Sequence, residues 1–201
     1  MRDEEKTKEQ LLEQVASLRA RLAELERSEA GRTLSERRVL RDATHDDITG
    51  LYSHPHLLQH LSLAVRSARR YEYPLSVCLC RLAGLKAVYE TQGEEVAEDV
   101  LAEFGELVRE TLRGDDIAGR CGKDEFCVVF SHTVAQEAAM AAERVLDEFE
   151  LVATDLPITP VFGIAQLQPE EMRESELLGL AEAAMEEAEQ AGDGAIVIGS
   201  P

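Results

Sequence analysis

Apolar residues early in the chain recur with spacings of four and three: Leu11, Val15, Leu18, Leu22 and Leu25. That spacing is the a/d seam of a coiled coil, with Val15 and Leu22 at a and Leu11, Leu18 and Leu25 at d. The positions between are mostly Glu, Gln, Arg and Lys, so the stripe is narrow and a single copy buries little. The pattern predicts that two copies pair in parallel over residues 1–42. A solvated helix packing on its own domain is the alternative, because Lys8 and Glu29 occupy the flanking a positions and Gly31 interrupts the seam. Residues 32–45 also read as helical, but Leu34, Val39 and Leu40 do not keep the register.

Beyond this point helical and strand periods alternate. Residues 54–72 fit an amphipathic helix, and LSVCLCRL at 75–82 is a β-rich run. Residues 84–112 read as helix broken near Gly93. DIAGRC at 116–121 and EFCVVFS at 125–131 are two short strands around Gly122-Lys123, a hairpin signal. An Ala/Glu-rich helix at 133–150 follows, then a strand at 157–167 that includes ITPVFGIAQL. A helix at 174–191 stops at Gly192, and AIVIG at 195–199 is a last strand. The order β-α-α-β-β-α-β-α-β predicts an α/β sandwich, one mixed sheet covered by helices.

Charge divides the chain at the same place. Residues 1–41 hold 10 Lys/Arg against 9 Asp/Glu, whereas residues 42–201 hold 11 against 31, which together give the net charge of −19. The shift supports two segments, 1–42 and 43–201. An excess of anions argues against nucleic acid or an anionic membrane as a partner, since those surfaces need clustered cations. No apolar run nears the roughly 18 residues of a membrane span. The charged start MRDEEKTKEQ does not read as a secretory signal. With four cysteines and no disulfide framework, the expected compartment is the reducing cytoplasm.

Several runs then carry a family resemblance. ATHDDITGLYSHPHL at 43–57 is similar to A-x-H-D-x-L-T-G-L-x-N-R, the opening motif of the GGDEF domains of bacterial diguanylate cyclases. RCGKDEF at 120–126 is similar to their signature R-x-G-G-D-E-F. RLAGLKAVYETQGEEVAEDVL at 81–101 lies where the family has D-x-D-x-F-K-x-I-N-D-x-x-G-H-x-x-G-D-x-x-L, and PVFGIA at 160–165 lies where it has V-S-I-G-V-A. The resemblance spans residues 43–199. It implies the GGDEF form of the α/β sandwich and an active site that joins two GTP into cyclic di-GMP with Mg²⁺.

Residue by residue, the match to that active site is uneven. The resemblance puts Arg81 at a metal-binding Asp, and a guanidinium repels a cation that needs oxygen ligands. Asp124 matches the second metal ligand. Tyr89 replaces a guanine-reading Asn and Glu98 a guanine-reading Asp. Gly122 is retained, and Lys123 stands for a Gly whose backbone approaches phosphate. Glu125 reads as a retained but idle acid, and Phe126 as core. In AEAAMEEAEQAGDG at 181–194, Glu189 and Asp193 stand where the family has Lys and Arg on the GTP phosphates. These departures lead to the expectation of a degenerate active site, no metal, no cofactor and no enzymatic activity, with Arg81 and Lys123 the remaining positive charge in the pocket.

One further motif matches. The family often carries a product-inhibition site, R-x-x-D, ending five residues before the signature. Arg113-Gly-Asp-Asp116 has that spacing, and Arg144 in AAERVL matches a further family Arg. Chance predicts about one R-x-x-D in a chain with 17 Arg and 11 Asp, so only the register against the signature distinguishes Arg113 and Asp116. A helix-end ion pair is the plain alternative. The leading expectation is a cyclic di-GMP receptor that signals through a coiled-coil homodimer to a protein partner. A nucleotide-independent interaction scaffold is the runner-up, and residual cyclase activity the third. Cys78, Cys80, Cys121 and Cys127 read as small core hydrophobes. His54, His56 and His60 read as polar surface, although the i, i+4 pair His56 and His60 suits a metal.

Overall fold

The structure is a computed structural model that describes residues 44–152, 156–168, 172–192 and 194–200. The expected coiled coil, the helical reading of 32–43 and Asp193 lie outside the described residues. Eleven elements follow in order: β1 (Tyr52–Ser53), α1 (His54–Tyr71), β2 (Leu75–Ala83), α2 (Leu85–Gln92), α3 (Glu94–Thr111), β3 (Ile117–Arg120), β4 (Glu125–Ser131), α4 (Ala135–Val152), β5 (Thr159–Gln166), α5 (Glu174–Ala191) and β6 (Ile196–Ile198). The expected α/β sandwich is present. Its six strands lie in the order β1-β3-β4-β2-β5-β6. The pairs β1–β3 and β5–β6 are parallel, and the three central pairings are antiparallel.

Strand periodicity explains why both faces are covered. Along β4, Phe126, Val128 and Phe130 enter one core, while Cys127 and Val129 enter the other. Successive side chains point to opposite faces, so a strand buried on both sides reads as a continuous apolar run, as EFCVVFS does. The first core lies under α2, α3 and α4, with Phe104 4.7 Å from Phe126 and 5.5 Å from Phe149 between ring centroids. Phe126 is therefore core, as expected. The second core holds Leu57, Leu61 and Val65 of α1 and Leu177 and Ala181 of α5.

Two glycines set the frame around the site. Gly93 has φ +98°, a conformation a side chain resists, and it ends α2 where the sequence placed a break. Gly163 of β5 lies directly under α5: a Cβ there would meet Met185 N at 2.1 Å and Ala181 O at 2.2 Å. The helix rests on bare backbone, which brings its C-terminal half close to the ends of β2 and β4.

Candidate functional site

The signature residues form the β3–β4 turn. Cys121 N–H donates to Glu125 O at 2.8 Å, Gly122 N–H donates to the same oxygen at 3.2 Å, and Leu82 N–H donates to Asp124 O at 3.0 Å. Arg120 holds the turn from below. Its Nε donates to Gly122 O at 3.0 Å and its Nη2 to Lys123 O at 2.6 Å. Its Nη1 reaches Asp46 Oδ1 at 3.3 Å. Asp46 in turn accepts from the Thr49 N–H and hydroxyl, both at 2.9 Å. Burial disfavours the Asp46 carboxylate, but the two Thr49 hydrogen bonds and the Arg120 guanidinium outweigh it and hold the carboxyl below its ordinary pKa. The opening motif and the signature are thus joined by one guanidinium.

Beside this turn lies a pocket of about 610 Å³. It collects Tyr89, Glu98, Lys123 and Asp124, four of the residues singled out in the sequence, together with Lys86 and Arg120. Sequence reasoning missed Lys86 and Arg120 as pocket cations, although Arg120 is the first letter of RCGKDEF. A hydrogen bond to Glu94, with the Glu98 charge adding to it, raises the pKa of the Tyr89 hydroxyl.

Arg81 does not line this pocket, contrary to expectation. It sits opposite Glu125 across β2 and β4. Its Nη2 is 2.6 Å from Glu125 Oε1, and its Nη1 is 2.5 Å from Glu189 Oε2. The Glu125 hydrogen bond leads, and Glu189 follows, in raising the Arg81 pKa. Glu125, expected as an idle acid, forms an ion pair with Arg81. Glu189 is not a bare anion either, because it shares the Arg81 guanidinium with Glu125. One guanidinium is shared by two carboxylates, so the charge of Glu189 is offset only in part.

The R-x-x-D residues lie in the turn between α3 and β3. Asp116 Oδ2 accepts from the Arg113 N–H at 3.1 Å, and the Asp116 N–H donates to Arg113 O at 3.1 Å. Burial raises the Asp116 pKa, opposed by the Arg113 N–H and charge. The expected alternative, a side-chain ion pair, is absent: among the described residues the Arg113 guanidinium has no hydrogen-bond or ion-pair partner. The same holds for Arg144 on α4. Arg113, Asp116 and Arg144 nevertheless line one small pocket of about 20 Å³, with Thr133 and Glu137. Arg113 and Asp116 also line a second pocket of about 340 Å³ with His45, Tyr52 and Arg109.

The remaining candidates fall as follows. Cys78, Cys80 and Cys127 are buried, and Cys121 is half-buried. Cys121 is drawn down to about 7, chiefly by a hydrogen bond from Cys127 and with help from His54. His56 and His60 lie side by side at the start of α1. Among the described residues no three or more His, Cys, Asp or Glu side chains group as metal ligands, and no helix is long and apolar enough to cross a membrane.

Strand order, helix cover and signature turn define a GGDEF-type α/β sandwich. Residues 43–195 match the family model described as diguanylate cyclase, GGDEF domain. The chain belongs to the GGDEF family. It is 30% identical over 163 residues to "Probable diguanylate cyclase DgcC" of Escherichia coli K12, covering 78% of this chain and 43% of that protein. The chain thus spans less than half the length of that curated relative. Diguanylate cyclase SiaD of Pseudomonas aeruginosa, in complex with its activator SiaC, is 26% identical at a TM-score of 0.72, covering 94% of this chain and 78% of that one. A microbial GGDEF domain with cyclic di-GMP is 25% identical at a TM-score of 0.71, covering 80% and 99%.

These relatives correct one expectation. The sequence departures led to the reading that the chain is not an enzyme, whereas its family is that of the diguanylate cyclases and the curated relative is named as one. The physical basis of the error is visible in the site. A 610 Å³ pocket persists, Asp124 and Glu98 line it, and Arg81 offsets part of the charge of Glu189.

Proposed function

We propose that this GGDEF domain binds cyclic di-GMP through Arg113, Asp116 and Arg144. The observation that carries the reading is the convergence of three polar side chains on one pocket with both guanidiniums unpartnered. Unpaired arginines need little desolvation of an existing partner before they take a ligand. A guanidinium fork fits a phosphate or the Hoogsteen edge of guanine, and it also stacks on a base. The Asp116 carboxylate accepts from the guanine N1–H and amine. A pocket of about 20 Å³ holds one water and not a base. The dinucleotide therefore lies across the surface, held by charge-assisted hydrogen bonds. The solved GGDEF domain with cyclic di-GMP supports the choice of ligand. β3 leads from Asp116 straight to the signature turn, so occupancy at one end stiffens the other. The a/d seam of Leu11 to Leu25 supplies the homodimer, and a signalling protein is the proposed receiver.

Isothermal titration of cyclic di-GMP into the full chain tests this. Each charge-assisted hydrogen bond is worth about 1.5–3 kcal/mol, so Arg113→Ala is expected to weaken binding by about 10- to 150-fold. Equal affinity in wild type and Arg113→Ala, or no binding by wild type, overturns the proposal. No binding leaves the scaffold reading in its place.

A further inference from the structure

The geometry points to a transition-metal site on α1, in which His56 and His60 chelate one borderline divalent ion of the Zn²⁺ or Cu²⁺ class. The two residues are i and i+4, so they share a helix face. Their Nε2 atoms are 3.2 Å apart. An ion about 2.05 Å from both nitrogens then subtends roughly 103°, close to tetrahedral. The ring positions agree with this. Two imidazoles bound to such an ion place their centroids about 5 Å apart, and without the ion the same two nitrogens form a bent N–H···N hydrogen bond. The observed separation is 4.8 Å, with the planes at 79°.

The pair is also held in place. Each histidine directly precedes a leucine, Leu57 or Leu61, that is 1% exposed. Those anchors fix the helix rotation and so fix where the imidazoles stand. The Tyr52 ring packs on both, at 5.0 Å from His56 and 4.9 Å from His60, and His45 packs on Tyr52 at 4.7 Å. Such outer contacts orient metal ligands. Two imidazoles select a borderline ion over Mg²⁺ or Ca²⁺, which take oxygen donors. No further His, Cys, Asp or Glu completes the set among the described residues, so water fills the other positions. Tyr52 and Ser53 pair with Gly119 and Arg120. The proposed site thus adjoins β1, which pairs with the strand that leads into the signature turn.

The test is titration of ZnCl₂ into the metal-free full chain by calorimetry, and of CuSO₄ with electron paramagnetic resonance. One ion per chain and a signal from two equivalent nitrogens are expected. His56→Ala and His60→Gln should each weaken binding by about tenfold or more, since even loss of an outer-shell partner costs that much. His54→Ala and Cys121→Ser should leave it unchanged, and circular dichroism checks that each variant is folded. Absence of binding, retention of affinity in both histidine variants, or loss of the ion in Cys121→Ser overturns the site.

Discussion

Replacing Asp46 by asparagine isolates the contact that joins the opening motif to the signature turn. The carboxylate accepts two hydrogen bonds from Thr49 at 2.9 Å and faces Arg120 at 3.3 and 3.4 Å. Side-chain exposure is 24% for Asp46 and 13% for Arg120, low enough for the charges to be only partly screened. Asparagine keeps an acceptor for Thr49 but loses the charge. Charged hydrogen bonds contribute about 1 kcal/mol more than neutral ones, and the long contact to Arg120 adds no more than about 1 kcal/mol. Asp46→Asn should therefore destabilise the domain by about 2 kcal/mol at pH 7, read from urea unfolding with an unchanged m-value. The pH dependence follows from the depressed pKa. Between the folded and unfolded pKa values the unfolded chain binds more protons, so this stability is complete above the ordinary Asp value of 3.8 and is lost as pH falls through the folded pKa. The gap between wild type and Asp46→Asn should narrow below about pH 4. A gap under about 0.5 kcal/mol at pH 7, or one that keeps its size down to pH 3, refutes the reasoning.

Two other expectations concern packing and thiol chemistry. Gly163→Ala should destabilise by about 3 kcal/mol or more, because the added carbon strikes α5 backbone at 2.1 and 2.2 Å. Gly179→Ala, exposed on α5 with nothing within 4 Å, should instead stabilise by about 0.5–1 kcal/mol. Urea titrations that rank the two in the opposite order would disprove this account of the sheet–helix contact. Cys121 should react with iodoacetamide with a midpoint near pH 7, while Cys78, pushed up to about 12 by burial, stays silent in the native protein. Removing its hydrogen-bond partner by Cys127→Ala should move the Cys121 midpoint upward, and mass spectrometry of the alkylated chain across pH reads both.

Most elements were legible because each carries its own period. EFCVVFS names a doubly buried strand, and Gly93 names the α2–α3 break. β1 was not legible: two residues, Tyr52 and Ser53, cannot show a period of two. The pocket residues Tyr89, Glu98, Lys123 and Asp124 could be found by register against motifs. Partnerships across the sheet could not. Arg81 is 44 positions from Glu125 and 108 from Glu189, and only the strand order brings the three together. Reading Arg81 and Glu189 separately hid the ion pair between them, while activity was excluded on Arg81 standing at a metal-binding Asp. Asp46 and Arg120 were likewise hidden by a separation of 74 residues.

The two ends of the sheet bear on how such a domain meets other chains. Among the described residues β1 has two residues and β6 three, so each rim strand is itself a short template for an incoming strand. Short rim strands disfavour strand addition, one of the common routes to peptide capture and to unwanted self-association. Recognition is left to side chains on the helices and turns, where single charge substitutions change the choice of partner without disturbing the ladder inside.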